Sequence, residues 1–193
     1  MADVNTSDLR YAVRLQIGAV LVALIAAGAF ISVPVPGSPV PIVLQNMFVV
    51  LTGVVLAPSW AALTVVVYLV IGAVGLPVFA GAAGGIAHFA GPTGGFLLGF
   101  PFSAALTSWI IRGRDGGRVV ADVGVTRQVL AMVAGFVVVY VLGVPWLALT
   151  AQLALPQALL AGMVPFLPGD LLKAAVLLVL TRTVPRSLWR TLS

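Results

Sequence analysis

The 193-residue chain is 61% hydrophobic and only 8% charged, with a formal net charge of +5, whereas roughly a quarter of the residues of soluble domains are charged. That balance excludes a soluble fold, and Lys and Arg that merely punctuate apolar runs do not form a nucleic-acid-binding face. The absence of cysteine removes disulfides, thiolate metal sites and cysteine nucleophiles, and one His with five Asp and no Glu argues against a metal site.

Each membrane crossing needs about 20 mostly apolar residues, which leaves room for six and predicts one domain spanning residues 1–193. The first apolar run, Leu15 to Phe30, follows Arg10 and Arg14. It is longer than the core of a signal peptide, about 7 to 15 residues, which favours a first membrane helix over a cleaved leader. The predicted helices cover residues 13–33, 42–57, 59–76, 94–111, 126–149 and 168–184. Pro58, in the short turn Ala57-Pro58-Ser59, stops the second helix and makes the second and third antiparallel neighbours.

Arginine placement orients this bundle, because Lys and Arg concentrate in short cytoplasmic segments. Arg10 and Arg14 precede the first helix, Arg112, Arg114, Arg118 and Arg127 join the fourth to the fifth, and Arg182, Arg186 and Arg190 follow the sixth. Six crossings with both termini cytoplasmic put all of them on one side. The opposite loops differ in kind. Val33 to Pro41 alternates proline into a stiff, extended strap. Gly75 to Phe96 is too rich in Gly and Pro for a helix, and Val144 to Gly169 is broken by four prolines, leaving one short helix near residues 157–163. Three apolar loops on the outer side read as a cap over a substrate cavity, with ordinary re-entrant packing as the alternative.

Asp170 and Lys173 stand apart from the other charges. The nine residues from Lys173 to Arg182 rise about 13 Å along a helix, which puts Lys173 near the mid-plane of the hydrocarbon. Ionisable groups at such depth mark functional sites by default. Asp170 also suits the positive end of a helix and pairs with Lys173 at (i, i+3). Lys173 opposes that dipole, which favours a bound ligand over a purely structural pair. Gln45, Asn46, Tyr68 and His88 lie toward the same half, as ligand contacts or as polar bridges between helices. The first helix carries Ala19, Ala23 and Ala27 at four-residue spacing, a smooth stripe for internal packing or for a partner helix.

No P-loop G-x-x-x-x-G-K-[ST] is present, and the sole lysine follows Pro-Gly-Asp-Leu-Leu, so the chain has no visible means of hydrolysing ATP. Neither a Ser/His/Asp set nor a metal cluster falls within the helices, which argues against an enzyme. A self-sufficient secondary transporter or channel would call for an inverted repeat or several intramembrane acids, and neither is visible.

The run GLPVFAGAAGGIAHFAGPTGGFLLGF from Gly75 to Phe100, together with PGDLLKA from Pro168 to Ala174, closely resembles the BioY family, the biotin-specific S components of energy-coupling factor transporters. The resemblance extends to the size, the six helices, the proline strap before Leu44-Gln45 and the alanine stripe. It implies a high-affinity biotin binder of the bacterial cytoplasmic membrane, working with a transmembrane coupling subunit and two cytoplasmic ATPases. It implies no cofactor on this chain, with ATP used by the partners. It assigns Asp170 and Lys173 to the vitamin site, with Gly81, Gly84 and Gly85 in a loop closing over the ligand. Gln45, Tyr68 and His88 join them as candidate contacts, and Ala19, Ala23 and Ala27 as the face for the coupling subunit. Ala82 and Ala83 stand where the family often has glycine, and Phe96 where tyrosine is frequent. The ureido end of biotin at Asp170, with Lys173 bridging, is the preferred arrangement, although which end meets Lys173 is left open.

Overall fold

In the computed structural model the described residues are 6–113, 118–187 and 189. Arg114 and Arg190 lie outside them, as does the side chain of Arg10. Six long helices form the bundle: α1 (Thr6–Phe30), α2 (Gln45–Val55), α3 (Pro58–Ala73), α4 (Gly94–Arg112), α5 (Val125–Thr150) and α7 (Leu167–Thr183). The short α6 (Leu155–Gly162) precedes α7, close to the short helix that the proline spacing predicts. Pro58 occupies the first turn of α3, where a missing N–H costs nothing.

The boundary of the second helix needs correction. Ile42–Val43 (β2) pairs antiparallel with Ser32–Val33 (β1), so the proline strap is the tip of a small hairpin and α2 starts only at Gln45. Backbone groups that proline cannot satisfy are tied off by Ser38, whose Oγ donates to the Val40 carbonyl and accepts from the Val40 N–H, both at 3.0 Å. Residues 42–44 read as helix in sequence because they are apolar; the hairpin takes them because its partner strand supplies the hydrogen bonds.

Length separates the helices into two groups. Among the described residues, four segments are long and apolar enough to cross a membrane: Tyr11–Phe30, Gly94–Arg112, Val125–Thr150 and Leu155–Thr183. The 11 residues of α2 and the 16 of α3 span about 16 and 24 Å at 1.5 Å per residue, short of the roughly 30 Å of hydrocarbon.

Helix α4 lies at the centre, packed against α2 and α3 on one side and α5 on the other. Glycine permits that proximity. A Cβ on Gly53 of α2 would come within 2.3 Å of the Ala104 carbonyl, and one on Gly135 of α5 within 2.3 Å of Thr107 Oγ1. In lipid, where no hydrophobic gain favours helix pairing, such close van der Waals contact is a principal attraction. The distribution of side chains is inverted relative to a soluble protein. Thr107, Ser108, Gln128 and Thr181 are buried, while Phe102, Val141, Leu149 and Leu171 are exposed.

The arginines gather at one end of the bundle and are used as caps. Arg112 donates from Nη2 to the Val55 carbonyl at 2.6 Å and from Nε to that of Leu56 at 3.2 Å, closing the C-terminus of α2. Arg127 Nε donates to the Ile110 carbonyl at 2.5 Å and Arg182 Nη2 to that of Val123 at 3.3 Å. The three loops rich in Gly and Pro therefore share the other end.

Candidate functional site

Helix α7 carries both Pro168 and Asp170 in its first turn, an arrangement that suits the positive helix end. Lys173 stands nearly one turn further along. Both are buried, at 5% and 6% exposure. Their charges are matched: Lys173 Nζ donates to Asp170 Oδ1 at 2.9 Å. Asn46 of α2 closes a triangle, donating from Nδ2 to the same Oδ1 at 3.0 Å and accepting from Lys173 Nζ at its Oδ1 at 2.8 Å. The Tyr140 hydroxyl of α5 donates to Asp170 Oδ2.

This arrangement separates the roles of the two charged residues. Asp170 has both oxygens occupied by protein donors and does not line the cavity. Lys173 lines it, and two of its three ammonium N–H groups are engaged, which leaves one for a ligand. Within the protein, Asp170 is the counter-ion of Lys173 and, with Tyr140, holds Asn46 and Lys173 in place.

The cavity is bounded by Val40, Pro41 and Val43 of the hairpin arm, Ala80, His88 and Thr93 of the third loop, and Phe96, Leu97 and Phe100 of α4. Val139 and Tyr140, Gly162, and Phe166 complete the apolar wall, with Gln45 and Asn46 beside Lys173. Pockets for small ligands are commonly mostly apolar with a few convergent polar groups, and this lining has that character.

The third loop is fastened at both ends. Tyr68 is fully buried, accepts from Gln45 Nε2 and donates to the Val78 carbonyl at 2.9 Å. Phe79 beside it is also fully buried, its ring seated on Gly72, where a Cβ would come within 2.1 Å. At the far end Trp146 Nε1 donates to the Gly91 carbonyl at 3.0 Å. His88 stacks on Phe79 with ring centroids 5.1 Å apart, and its Nε2 lies 3.1 Å from Thr93 Oγ1. Burial pushes the His88 pKa below its ordinary 6.5, so at neutral pH the ring is uncharged and offers one N–H and one acceptor.

Of the residues expected from sequence, Gln45, His88 and Lys173 line the cavity, whereas Tyr68 sits beneath the loop and binds Gln45. Gly81, Gly84 and Gly85 shape the loop without lining the cavity. Gly81 and Gly85 have φ of +74° and +95°, and Gly84 packs on the backbone of Leu76, where a Cβ would come within 2.3 Å of its carbonyl. Between them Ala82 adopts φ 56°, a left-handed conformation that glycine adopts without strain. Phe96 lines the cavity and meets Tyr140 edge-on, with centroids 6.5 Å apart.

Sequence reasoning passed over Tyr140, Thr93 and Phe166. Tyr140 carried a usable signal, a lone hydroxyl within the apolar run Val137-Val138-Val139-Tyr140-Val141. Changing Tyr140 to Phe removes one charge-stabilising donor and leaves Asp170 Oδ2 unsatisfied at a cost of about 1 to 3 kcal/mol. The expected result is ligand affinity about tenfold weaker with the fold retained, checked by calorimetry alongside thermal unfolding.

A sequence profile of the BioY family matches residues 4–190. The chain is 39% identical to the "Probable biotin transporter BioY" of Pyrococcus horikoshii over 84% of its length and 90% of that protein. It is 38% identical to the "Biotin transporter BioY" of Rhizobium etli, over 83% of the chain and 86% of the relative. Among solved structures, the S-component for biotin from an ECF-type ABC transporter superposes with a TM-score of 0.82 at 28% identity, covering 94% of this chain and 93% of that one. A profile match over almost the full length, relatives near 40% identity and a shared architecture agree: this chain is a multi-pass membrane protein of the BioY family.

Proposed function

We propose that the chain is the membrane-embedded biotin-binding S component of an ECF-type uptake transporter, holding one biotin in the cavity beneath the outer loops. The observation that carries this reading is the unused ammonium N–H of Lys173, presented with Asn46 and Gln45 into an otherwise apolar space. Biotin matches that chemistry: a ureido ring with two N–H donors and a carbonyl, an apolar thioether ring and a valerate ending in a carboxylate. Lys173 donates to an oxygen of biotin, the amide side chains serve the ureido edge, and aromatic rings cover the thioether. His88 and Thr93, on the loop side, are suited to the opposite end. Asp170 acts through Lys173.

The S component supplies recognition and no energy source. In this reading a transmembrane coupling subunit docks on α1 and two cytoplasmic ATPases supply ATP hydrolysis, so this chain needs no cofactor. The exposed positions of Ala19, Ala23 and Ala27 support that docking face. The setting is a bacterial cytoplasmic membrane, with six crossings and the arginine-bearing end inside; α2 and α3 cross as a short pair, helped by the hairpin at the outer end. Single cysteines placed at Ser38 or Ala82 should react with an impermeant maleimide in intact cells, and one at Gly124, exposed at the arginine-bearing end, should not. Reaction at Gly124 from outside would overturn the orientation.

Function is tested by uptake of labelled biotin into vesicles containing the chain alone or the chain with coupling subunit and ATPases. ATP-dependent accumulation with the full set, absent when Lys173 is replaced by Ala, is expected. Concentrative uptake by the chain alone would favour a self-sufficient transporter.

A further inference from the structure

A second feature of the bundle lies on its lipid-facing side, away from the cavity. Phe102, Ala105, Leu106 and Trp109 of α4 and Val138 and Val141 of α5 line an apolar groove between the two helices. Phe102, Trp109 and Val141 are more than half exposed, at 61%, 53% and 62%.

Helical phase carries this groove to the arginine-bearing end. On α5, Arg127 precedes Val138 by eleven residues, which at about 100° per residue returns to the same face within about 20°. On α4, Gly113 follows Phe102 by the same interval and closes the helix. The two lines meet there: a Cβ on Gly113 would lie 3.1 Å from Arg127 Nη2 and 3.7 Å from Arg118 Nη1. Two guanidiniums thus converge at the foot of an apolar groove.

Among the described residues the ion pair is that of Asp170 with Lys173, and neither Arg118 nor Arg127 takes part in one. Arg127 uses Nε on the Ile110 carbonyl, leaving its terminal nitrogens for another acceptor. Like charges held close together favour an anion between them. Arginine's planar fork fits phosphate oxygens in particular.

We propose that this is a binding site for an anionic phospholipid, with its phosphodiester between Arg118 and Arg127 and one acyl chain in the α4–α5 groove. Groove and guanidiniums match the two halves of one molecule. Trp109 marks the groove near its charged end and serves as a reporter. The site is independent of biotin.

The test reconstitutes the full chain in nanodiscs with phosphatidylglycerol or phosphatidylcholine brominated on the acyl chains, and takes the Trp109 fluorescence as wild type minus Trp109→Phe. Brominated phosphatidylglycerol should quench at about tenfold lower mole fraction than phosphatidylcholine, and Arg118→Gln with Arg127→Gln should remove that preference. Ala105→Phe, which fills the groove and keeps both arginines, should reduce quenching by either lipid, and protects the test against an arginine variant that fails to fold. Equal quenching by the two lipids in the wild type, or unchanged quenching in Ala105→Phe, would overturn the proposal. Relief of the quenching by inorganic phosphate alone would also overturn it, by showing that the arginines hold a free anion.

Discussion

Replacing Lys173 by alanine should weaken biotin binding by about a hundredfold while leaving the bundle assembled. The direct loss is one charge-assisted hydrogen bond, about 1.5 to 3 kcal/mol. The indirect loss is larger in consequence, because Asp170 at 5% exposure loses its counter-ion, and removing one partner of a buried pair costs about 3 to 5 kcal/mol. Part of that falls on the free protein as lower stability, and the rest on the complex, since Asn46 loses the ammonium that orients its carbonyl. Asp170→Asn removes the charge from the other side: it preserves shape, strands the cation instead, and turns one of the two accepting oxygens into a donating NH2. A similar loss of affinity is expected from it, although Asp170 does not itself line the cavity. Calorimetry on both variants, compared with their unfolding temperatures, checks the assignment. Affinity unchanged in both would remove this site from the account.

Ala23→Leu should abolish ATP-dependent uptake and leave biotin affinity as it is. Ala19, Ala23 and Ala27 follow one another along the exposed side of α1, whereas Leu21 and Ile25 of the same helix are buried in the bundle. A leucine at residue 23 therefore enlarges a surface that faces away from the cavity. Its added bulk holds a partner helix away from a contact that depends on close approach. The paired measurement is biotin bound by the isolated chain against uptake by the full complex. Lost binding would mean that the stripe supports the fold, and full uptake would mean that the partner docks elsewhere.

The helices were largely legible because lipid imposes a simple rule, long apolar runs interrupted by Pro, Gly and Arg, and α4, α5 and α7 lie within one residue of their predicted limits. The start of α2 was not. Its apolar lead-in, residues 42–44, has the composition of a helix, and only the partner strand at residues 32–33 decides otherwise. At the site, Lys173 stood out because a buried cation near a helix N-terminus is anomalous by itself. Tyr140 did not, since a tyrosine in an apolar run gains its meaning from Asp170, thirty residues away. The loop glycines were legible as a motif without their role being so. Positive φ at Gly81 and Gly85 and close backbone packing at Gly84 show them shaping a loop fastened by Tyr68 and Trp146.

The most direct test of the central claim is equilibrium binding of biotin to the purified chain alone, stripped of ligand and free of coupling and ATPase subunits. The account predicts saturable binding of one biotin per chain, weakened in parallel in Lys173→Ala and Asp170→Asn. Protein with a normal unfolding transition that binds no biotin, or that binds it only when the ATPases are present, would contradict it.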